Sequence, residues 1–179
     1  MEPSQVFRFC PRCGAKRDRR GTPFECGACG LLYYFNPCAA VAGIVLNSAG
    51  EALLLRRAKD PAKGRLAVPG GFIDIAERAE DALCRETREE VGLELSDLKF
   101  LCSQLNSYLY KELTYPVLDL FFVARARNPE AAQPLDGVES FIWMKPESVN
   151  LEEIAFPSIR AALQEFIVTA SPPATRVGR

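Results

Sequence analysis

Glu86, Glu89 and Glu90 stand at i, i+3 and i+4 in a run of helix-forming residues, so a helix there presents three carboxylates on one face. Like charges at that spacing destabilise a bare helix. A divalent cation removes the penalty, because Mg2+ and Mn2+ are hard ions that take carboxylate oxygens and fill their remaining positions with water and phosphate oxygens. Just upstream, Pro69-Gly70-Gly71 reads as a tight turn whose missing side chains let backbone come close to a ligand. These residues together point to a metal-dependent phosphate site. The chain has no histidine. A general base must therefore be a carboxylate, a hydroxide carried by a metal, or a Lys, Tyr or Cys side chain.

A second constellation lies near the start. Cys10-Pro-Arg-Cys13 is followed, twelve residues after Cys13, by Cys26-Gly-Ala-Cys29, and each pair runs into a glycine, Gly14 or Gly30. Two such knuckles have the form of a four-thiolate zinc ribbon: the short loop lets two sulfurs reach one ion, and the glycine permits the turn that follows. A redox pair is the rival reading, but a doubled motif outside a βαβ context favours zinc. With all four positions filled by protein, the zinc is structural. A ribbon over 8–32 is too short for a core of its own, and zinc would supply folding free energy on the order of 10–16 kcal/mol. Arg8, Arg12, Lys16, Arg17, Arg19 and Arg20 cluster around the first knuckle and its loop. Basic ribbons do bind nucleic acid, yet a solvated loop accounts for the charges. Phe7, Phe9, Phe24, Tyr33, Tyr34 and Phe35 read as packing for the ribbon rather than as a stacking platform.

The spacing around the carboxylates is more specific than their acidity. Gly71, five residues, Glu77, seven residues, Arg85-Glu86, two residues, Glu89-Glu90, one residue, Gly92-Leu93: this 23-residue register resembles the box of the Nudix hydrolases, which split a nucleoside diphosphate linked to another group X. The resemblance implies that Glu86, Glu89 and Glu90 hold Mg2+ or Mn2+, that Glu86 serves as base in some members, and that the Gly70 carbonyl is a further ligand. It also implies an ion pair between Arg85 and Glu77 that orients the helix against the preceding loop. Two positions depart from the family: Thr87 stands where an aliphatic residue is usual, and Ala76 replaces a frequent glycine. Thr87 is expected to face the sheet. Related enzymes often place an acidic loop residue over the metals, and Glu139 in LDGVESFIW matches that place, with Asp136 nearby. A solvated loop explains both equally well. Tyr108 and Tyr110 fall where Nudix enzymes place substrate-selecting residues; a ring there could stack on a base, or simply pack.

The elements that would position these groups can be read coarsely. Residues 39–46, 52–57, 66–68, 98–106, 117–126 and 141–144 read as strands, 78–91 as the box helix ended by Gly92, and 157–166 as a second helix with Pro157 in its first turn. Lys63 and Arg65 lie in the loop before the glycine turn, and with Gly70 and Gly71 they make a site matched to two adjacent phosphates. The expected fold class is α+β, an α/β/α sandwich around a mixed sheet, with a ribbon at 8–32, a Nudix domain at 37–170 and a disordered tail at 171–179.

The likeness extends beyond the box. YYFNPCAAVAGIVLN, EALLLRRA, AVPGGFID and EIAFPSIRAAL look like the zinc-ribbon Nudix group that includes ADP-ribose, FAD and NADH pyrophosphatases. NADH-cleaving members carry an SQPW-type stretch; Ser103-Gln104-Leu105-Asn106 lacks its Pro and Trp, while Ile154-Ala155-Phe156-Pro157-Ser158 looks more like the FAD and ADP-ribose cleaving members. Composition agrees with an ordinary enzyme: 179 residues suit one domain plus a ribbon, and 48% hydrophobic with 25% charged residues is globular. A net charge of -1 argues against a dedicated nucleic-acid protein, so no nucleic-acid partner is expected. MEPSQVFRF has no apolar signal region and no stretch reaches transmembrane length, which predicts no membrane partner. Seven cysteines, with Cys38, Cys84 and Cys102 left outside the ribbon, suit a reducing cytoplasm. The activity expected is Mg2+- or Mn2+-dependent cleavage of ADP-ribose, FAD or a related dinucleotide to AMP plus X-phosphate, by a monomer or homodimer acting on a small nucleotide. The alternative is a Nudix-fold ligand- or nucleic-acid-binding regulator without turnover, using the ribbon for interaction.

Overall fold

The computed structural model describes residues 1–17 and 21–170; Arg19, Arg20 and the segment 171–179 lie outside the described residues. A one-turn helix, α1 (Pro3–Val6), precedes two short strands, β1 (Phe24–Glu25) and β2 (Leu32–Tyr33), which pair antiparallel beside the clustered cysteines. Phe7 packs on Tyr33 and edge-on to Phe35 at ring separations of 5.3 and 4.9 Å, so these aromatics are internal to the ribbon. Arg17 joins them, its guanidinium 5.5 Å from the Phe24 ring and donating to the Ser4 and Gly21 carbonyls.

Alternation within the strands decides the rest. In β3 (Cys38–Leu46), Val41 and Val45 face one side and Ile44 the other; in β4 (Ala52–Arg57), Leu53 and Leu55 oppose Ala52 and Leu54. A sheet apolar on both faces must be covered on both. After β5 (Leu66–Ala67) and β6 (Gly70–Phe72), α2 (Ala79–Val91) packs Ala82, Leu83 and Val91 on the first face. Then come β7 (Leu95–Tyr110), β8 (Leu113–Ala126) and β9 (Val138–Met144), and α3 (Pro157–Ala170) packs Ile159, Ala162 and Leu163 on the second face. The result is the α/β/α sandwich expected from the sequence.

The sheet runs β5-β4-β3-β8-β7, with β9 added to β4 and β6 to β3. β3 and β8 are parallel from Cys38↔Val117 to Leu46↔Arg125, and the other pairings are antiparallel. One edge of β3 is shared: β4 meets it only at Leu46↔Ala52, and β6 takes residues 40–42. β4 thus diverges from β3 beyond the Leu46↔Ala52 pair. β7 and β8 are longer than the sequence pattern suggests, forming one hairpin that closes at Tyr110↔Leu113 over Lys111, whose φ is 54°. Pro116 is tolerated because it lies one residue before the parallel pairing with β3 begins.

Candidate active site

α2 starts after Arg78 and ends at Gly92, whose φ of 73° gives the left-handed cap anticipated for that residue. Its face toward β6 carries the three glutamates. Glu90 Oε2 accepts the Gly70 N–H at 3.0 Å. Burial pushes the Glu90 carboxyl up to about 8; the Gly70 N–H opposes this, Glu86 and Asp136 add to it, and Arg57 offsets part of it. Glu86 lies directly against Gly71, where a Cβ would collide with its carboxylate. Its pKa is raised by burial and drawn down by Arg85. Glu89 is the outermost, 54% exposed.

Arg85 ties this face together. Nε and Nη2 grip Glu77 at 2.8 and 2.9 Å, Nη1 reaches Glu86 at 2.8 Å and Glu89 at 3.2 Å, and Nη2 also bonds the Phe72 carbonyl at 3.1 Å. The two-pronged grip, with the Asp74 N–H, holds Glu77 down to about 2. Arg85 and Glu77 thus meet as the resemblance implies, and Arg85 also bonds Glu86 and Glu89. Among the described residues, the three glutamates do not form a compact ligand group as the four cysteines do. Their chemistry still fits a hard divalent cation: three carboxylates share one face, and Glu90 needs a neighbouring positive charge to ionise near neutral pH.

The other candidates are placed as follows. The loop before β9 docks on the C-terminus of α2, with the Leu135 N–H on the Glu90 carbonyl at 2.9 Å and that of Asp136 on Glu89 at 3.3 Å. Asp136 is exposed and paired with Lys59 at 2.6 Å. Glu139 is exposed on β9 beside the bulge opposite Arg56 and Arg57, and forms no hydrogen bond or ion pair with the glutamates. Arg65 donates to the Glu152 and Ile154 carbonyls, and exposed Lys63 does not line the cleft, so neither cation is gathered with the glycines. Thr87 is fully buried against the sheet, as expected, and its hydroxyl has no partner. Ala76, where a glycine is frequent, has a φ of 64°.

The cleft is about 240 Å³. Its walls are small and apolar on β3, and Tyr108 and Phe156 line it in contact with each other at a ring separation of 6.2 Å. Gly70 and Gly71 line it and touch the glutamates, so the cleft and the carboxylate face share the β6 glycines. Tyr108 also stands edge-on to Phe72 at 5.4 Å, dividing the cleft from a second hollow of about 320 Å³ lined by Cys38, Phe72, Tyr108, Tyr110 and Tyr115. Three polar cleft residues escaped the sequence reading: Arg57, Asn106 and Asp119. Arg57, over the Phe156 ring at 5.2 Å, supplies the cation that Lys63 or Arg65 was expected to bring. A polar residue inside an apolar strand was the one available signal, and Asp119 in VLDLFF shows it.

At the ribbon, the sulfurs of Cys10 and Cys29 lie 3.7 Å apart, as do those of Cys13 and Cys26, and all four fall within 4.8 Å of one another. A tetrahedral ion with Zn–S bonds of about 2.3 Å places its sulfurs about 3.8 Å apart, so the group fits zinc. The knuckles are equivalent: Gly14 and Gly30 have φ of 72° and 70° and donate to the Cys10 and Cys26 carbonyls, each at 2.9 Å.

Comparison with known proteins agrees with this architecture. Over 105 residues the chain is 30% identical to the NAD-capped RNA hydrolase NudC of Vibrio vulnificus, covering 56% of this chain and 39% of that protein. It is 37% identical over 101 residues to the human mitochondrial NAD(P)H pyrophosphatase NUDT13, covering 55% of this chain and 28% of that one. The chain thus spans well under half of these relatives. The crystal structure of a NUDIX hydrolase from Nitrosomonas europaea superposes with a TM-score of 0.70 at 23% identity, covering 93% of this chain and 95% of that one, which shows a shared fold. The model of the NUDIX domain matches residues 36–166, and with that match spanning the box, the cleft, α2 and most of α3, the chain belongs to the Nudix family.

Proposed function

We propose that this protein is a metal-dependent pyrophosphohydrolase that cleaves a nucleoside diphosphate linked to X, giving AMP and X-phosphate when the nucleoside is adenosine. The observation that carries this reading is the junction at β6: Gly70 and Gly71 border the cleft while Glu86 and Glu90 lie against the same two residues. Mg2+ or Mn2+, held by Glu86, Glu89, Glu90 and the Gly70 carbonyl, would supply charge neutralisation for the diphosphate and acidify an attacking water. The chain's own groups do the positioning. Arg85 orients Glu86 and Glu89, and Glu77 and the Phe72 carbonyl hold Arg85 in turn. Glycines at 70 and 71 let the diphosphate approach the backbone, and Arg57 offers it a cation from the cleft wall. Tyr108, between the two hollows, is placed to stack on a base in the cleft, and Tyr110 to cover the X group beyond it. Glu90 and Glu86 are the nearest carboxylates for the base; Glu139, exposed on β9, bonds to neither of them.

Zinc on Cys10, Cys13, Cys26 and Cys29 is structural in this reading, and Cys38, Cys84 and Cys102, all free thiols, suit a compartment that keeps thiols reduced. A regulator without turnover has no need of three carboxylates on one helix face beside the cleft. The test is a Mg2+-supplemented panel of ADP-ribose, FAD, NADH and NAD-capped RNA in 18O-labelled water. The expected result is AMP, or a 5′-monophosphate RNA end, with label in one of the two phosphates released from the diphosphate. Label only in free phosphate, with no monophosphate product from any substrate, would overturn the reading.

A further inference from the structure

Asp119 lies in the cleft at 7% exposure, and the diphosphate chemistry leaves it unused. Asn106 Nδ2 donates to its Oδ2 at 2.9 Å, and Asn106 Oδ1 is engaged by the Ser107 N–H at 2.8 Å. Ser158, 2% exposed on α3, is close enough to steady the Asp119 carboxyl, yet its Oγ is outside hydrogen-bond geometry. Among the described residues Asp119 forms no ion pair. A buried carboxylate this thinly satisfied costs stability, and burial accordingly pushes its pKa up.

The fold does not need it there. β7 and β8 are already paired continuously around this point, from Ser103↔Leu120 to Ser107↔Pro116, and the neighbouring wall residues are Ala40 and Val117. An aliphatic side chain would serve packing better. The residue's position suits a ligand. Asp119 pairs across β3 with Ala40, and Gly70 pairs with Ala42 from the other side. Two strand spacings of about 4.8 Å and two residues of about 3.3 Å put it roughly 12 Å from Gly70, room for a ribose between a base and its phosphate.

We propose that Asp119, with Asn106, reads an amino group on the heterocyclic base of the substrate and so sets the specificity of the cleft. The carboxylate oxygen not bonded to Asn106 accepts the amine N–H, and the second Nδ2 hydrogen of Asn106 is free to donate to an adjacent acceptor atom. Tyr108 and Phe156, in contact with each other, give that part of the cleft an aromatic wall for the ring. The inference rests on the pyrophosphohydrolase reading and deepens it by naming what the cleft recognises. The amine could belong to adenine or to the carboxamide of nicotinamide, and the two are separable.

The experiment compares kcat/KM for ADP-ribose against IDP-ribose, which lacks the adenine amine, and for NAD+ against its nicotinic acid analogue, which lacks the amide nitrogen. Wild-type enzyme is expected to favour the amine-bearing member of one pair by at least about tenfold, since a site built to bond an N–H leaves its acceptor unpaired against the analogue. Asp119→Ala should bring that ratio close to one, acting through KM, with kcat on the preferred substrate within about threefold. Asp119→Asn keeps one acceptor oxygen without the charge and should fall between. It is isosteric, so it still reports if the alanine variant fails to fold. An unchanged ratio in both variants, or an equal loss of kcat on both members of each pair, would overturn the proposal. If none of the four compounds is cleaved, the wider panel of FAD, NADH and NAD-capped RNA decides the pyrophosphohydrolase reading separately. Calorimetric titration with AMP against IMP, and with nicotinamide mononucleotide against nicotinic acid mononucleotide, then decides on Asp119. A preference for an amine-bearing mononucleotide that Asp119→Asn weakens sustains the inference, and no binding or an unweakened preference sinks it.

Discussion

Glu90 carries an electrostatic conflict, a carboxyl whose burial opposes its charge. Its folded-state pKa, pushed up to about 8 by burial, lies above the ordinary 4.5, so without metal the folded protein holds a proton on it that the unfolded chain has released. Stability from this group is full below the unfolded value and is lost as pH rises through about 8. Melting temperature in metal-free buffer should therefore fall from about pH 5 to about pH 8. Glu90→Gln should flatten that fall and added Mg2+ should reverse it; a variant with the wild-type slope would place the titration elsewhere. The same substitution, or Glu89→Gln, should cost at least about a hundredfold in turnover at saturating Mg2+ with the circular dichroism spectrum unchanged. Thr87 presents a milder conflict, a fully buried hydroxyl without a partner. Thr87→Val keeps the shape and removes the unpaired group, so a gain of about 1 kcal/mol in denaturant unfolding is expected.

Among the elements, β6 and α2 meet at the carboxylate face, and their contact is too close for a side chain at position 71. Gly71 is not held by a positive φ; it is a glycine because the Glu86 carboxylate occupies the space where a Cβ would stand. Gly71→Ala must displace Glu86 and, with it, the grip of Arg85. A loss of ten- to a hundredfold in kcat is expected for a misplacement of this size, with a much smaller drop in melting temperature. Turnover equal to wild type would show that Glu86 need not lie where the structure puts it. Gly70 differs: its φ of 152° and the nearness of the Val41 carbonyl both exclude a side chain. The β7–β8 hairpin plays the complementary part, bringing Tyr108, Tyr110, Tyr115, Asn106 and Asp119 to the same end of the sheet as the glycines.

For the whole molecule, the ribbon and the sandwich differ in what holds them together. The sandwich has two apolar cores, one on each face of the sheet, whereas among the described residues the ribbon buries only Cys10, Phe24 and Cys26 with a few half-buried neighbours. The ribbon should therefore depend on its metal and the sandwich should not. Elemental analysis of freshly reduced protein should find about one zinc per chain. Cys26→Ser should release it and expose the 1–35 region to limited proteolysis while the Nudix core stays resistant. Zinc-free wild-type protein with a protected ribbon would contradict the assignment.

The features legible in the sequence are those with a local period. The carboxylate face of α2 follows from residues three and four apart, the Arg85–Glu77 pair and the Gly92 cap from the register of one segment, and the cysteine knuckles from two four-residue loops. Alternation marked most of the sheet for the same reason. The hairpin end was missed because Pro116 and the charged turn interrupt the pattern, although their place beyond the parallel pairing makes them harmless. Charge alone singled out Lys63 and Arg65, but whether a cation meets the cleft depends on which strands flank it. Arg57 from β4, Asn106 from β7 and Asp119 from β8 converge only because β4 leaves β3 and β8 joins it on the other side. Contacts between residues dozens of positions apart carry no period along the chain, so the sequence by itself determined the carboxylate helix and the cysteine knuckles, and only the order and divergence of the strands decided what lines the cleft.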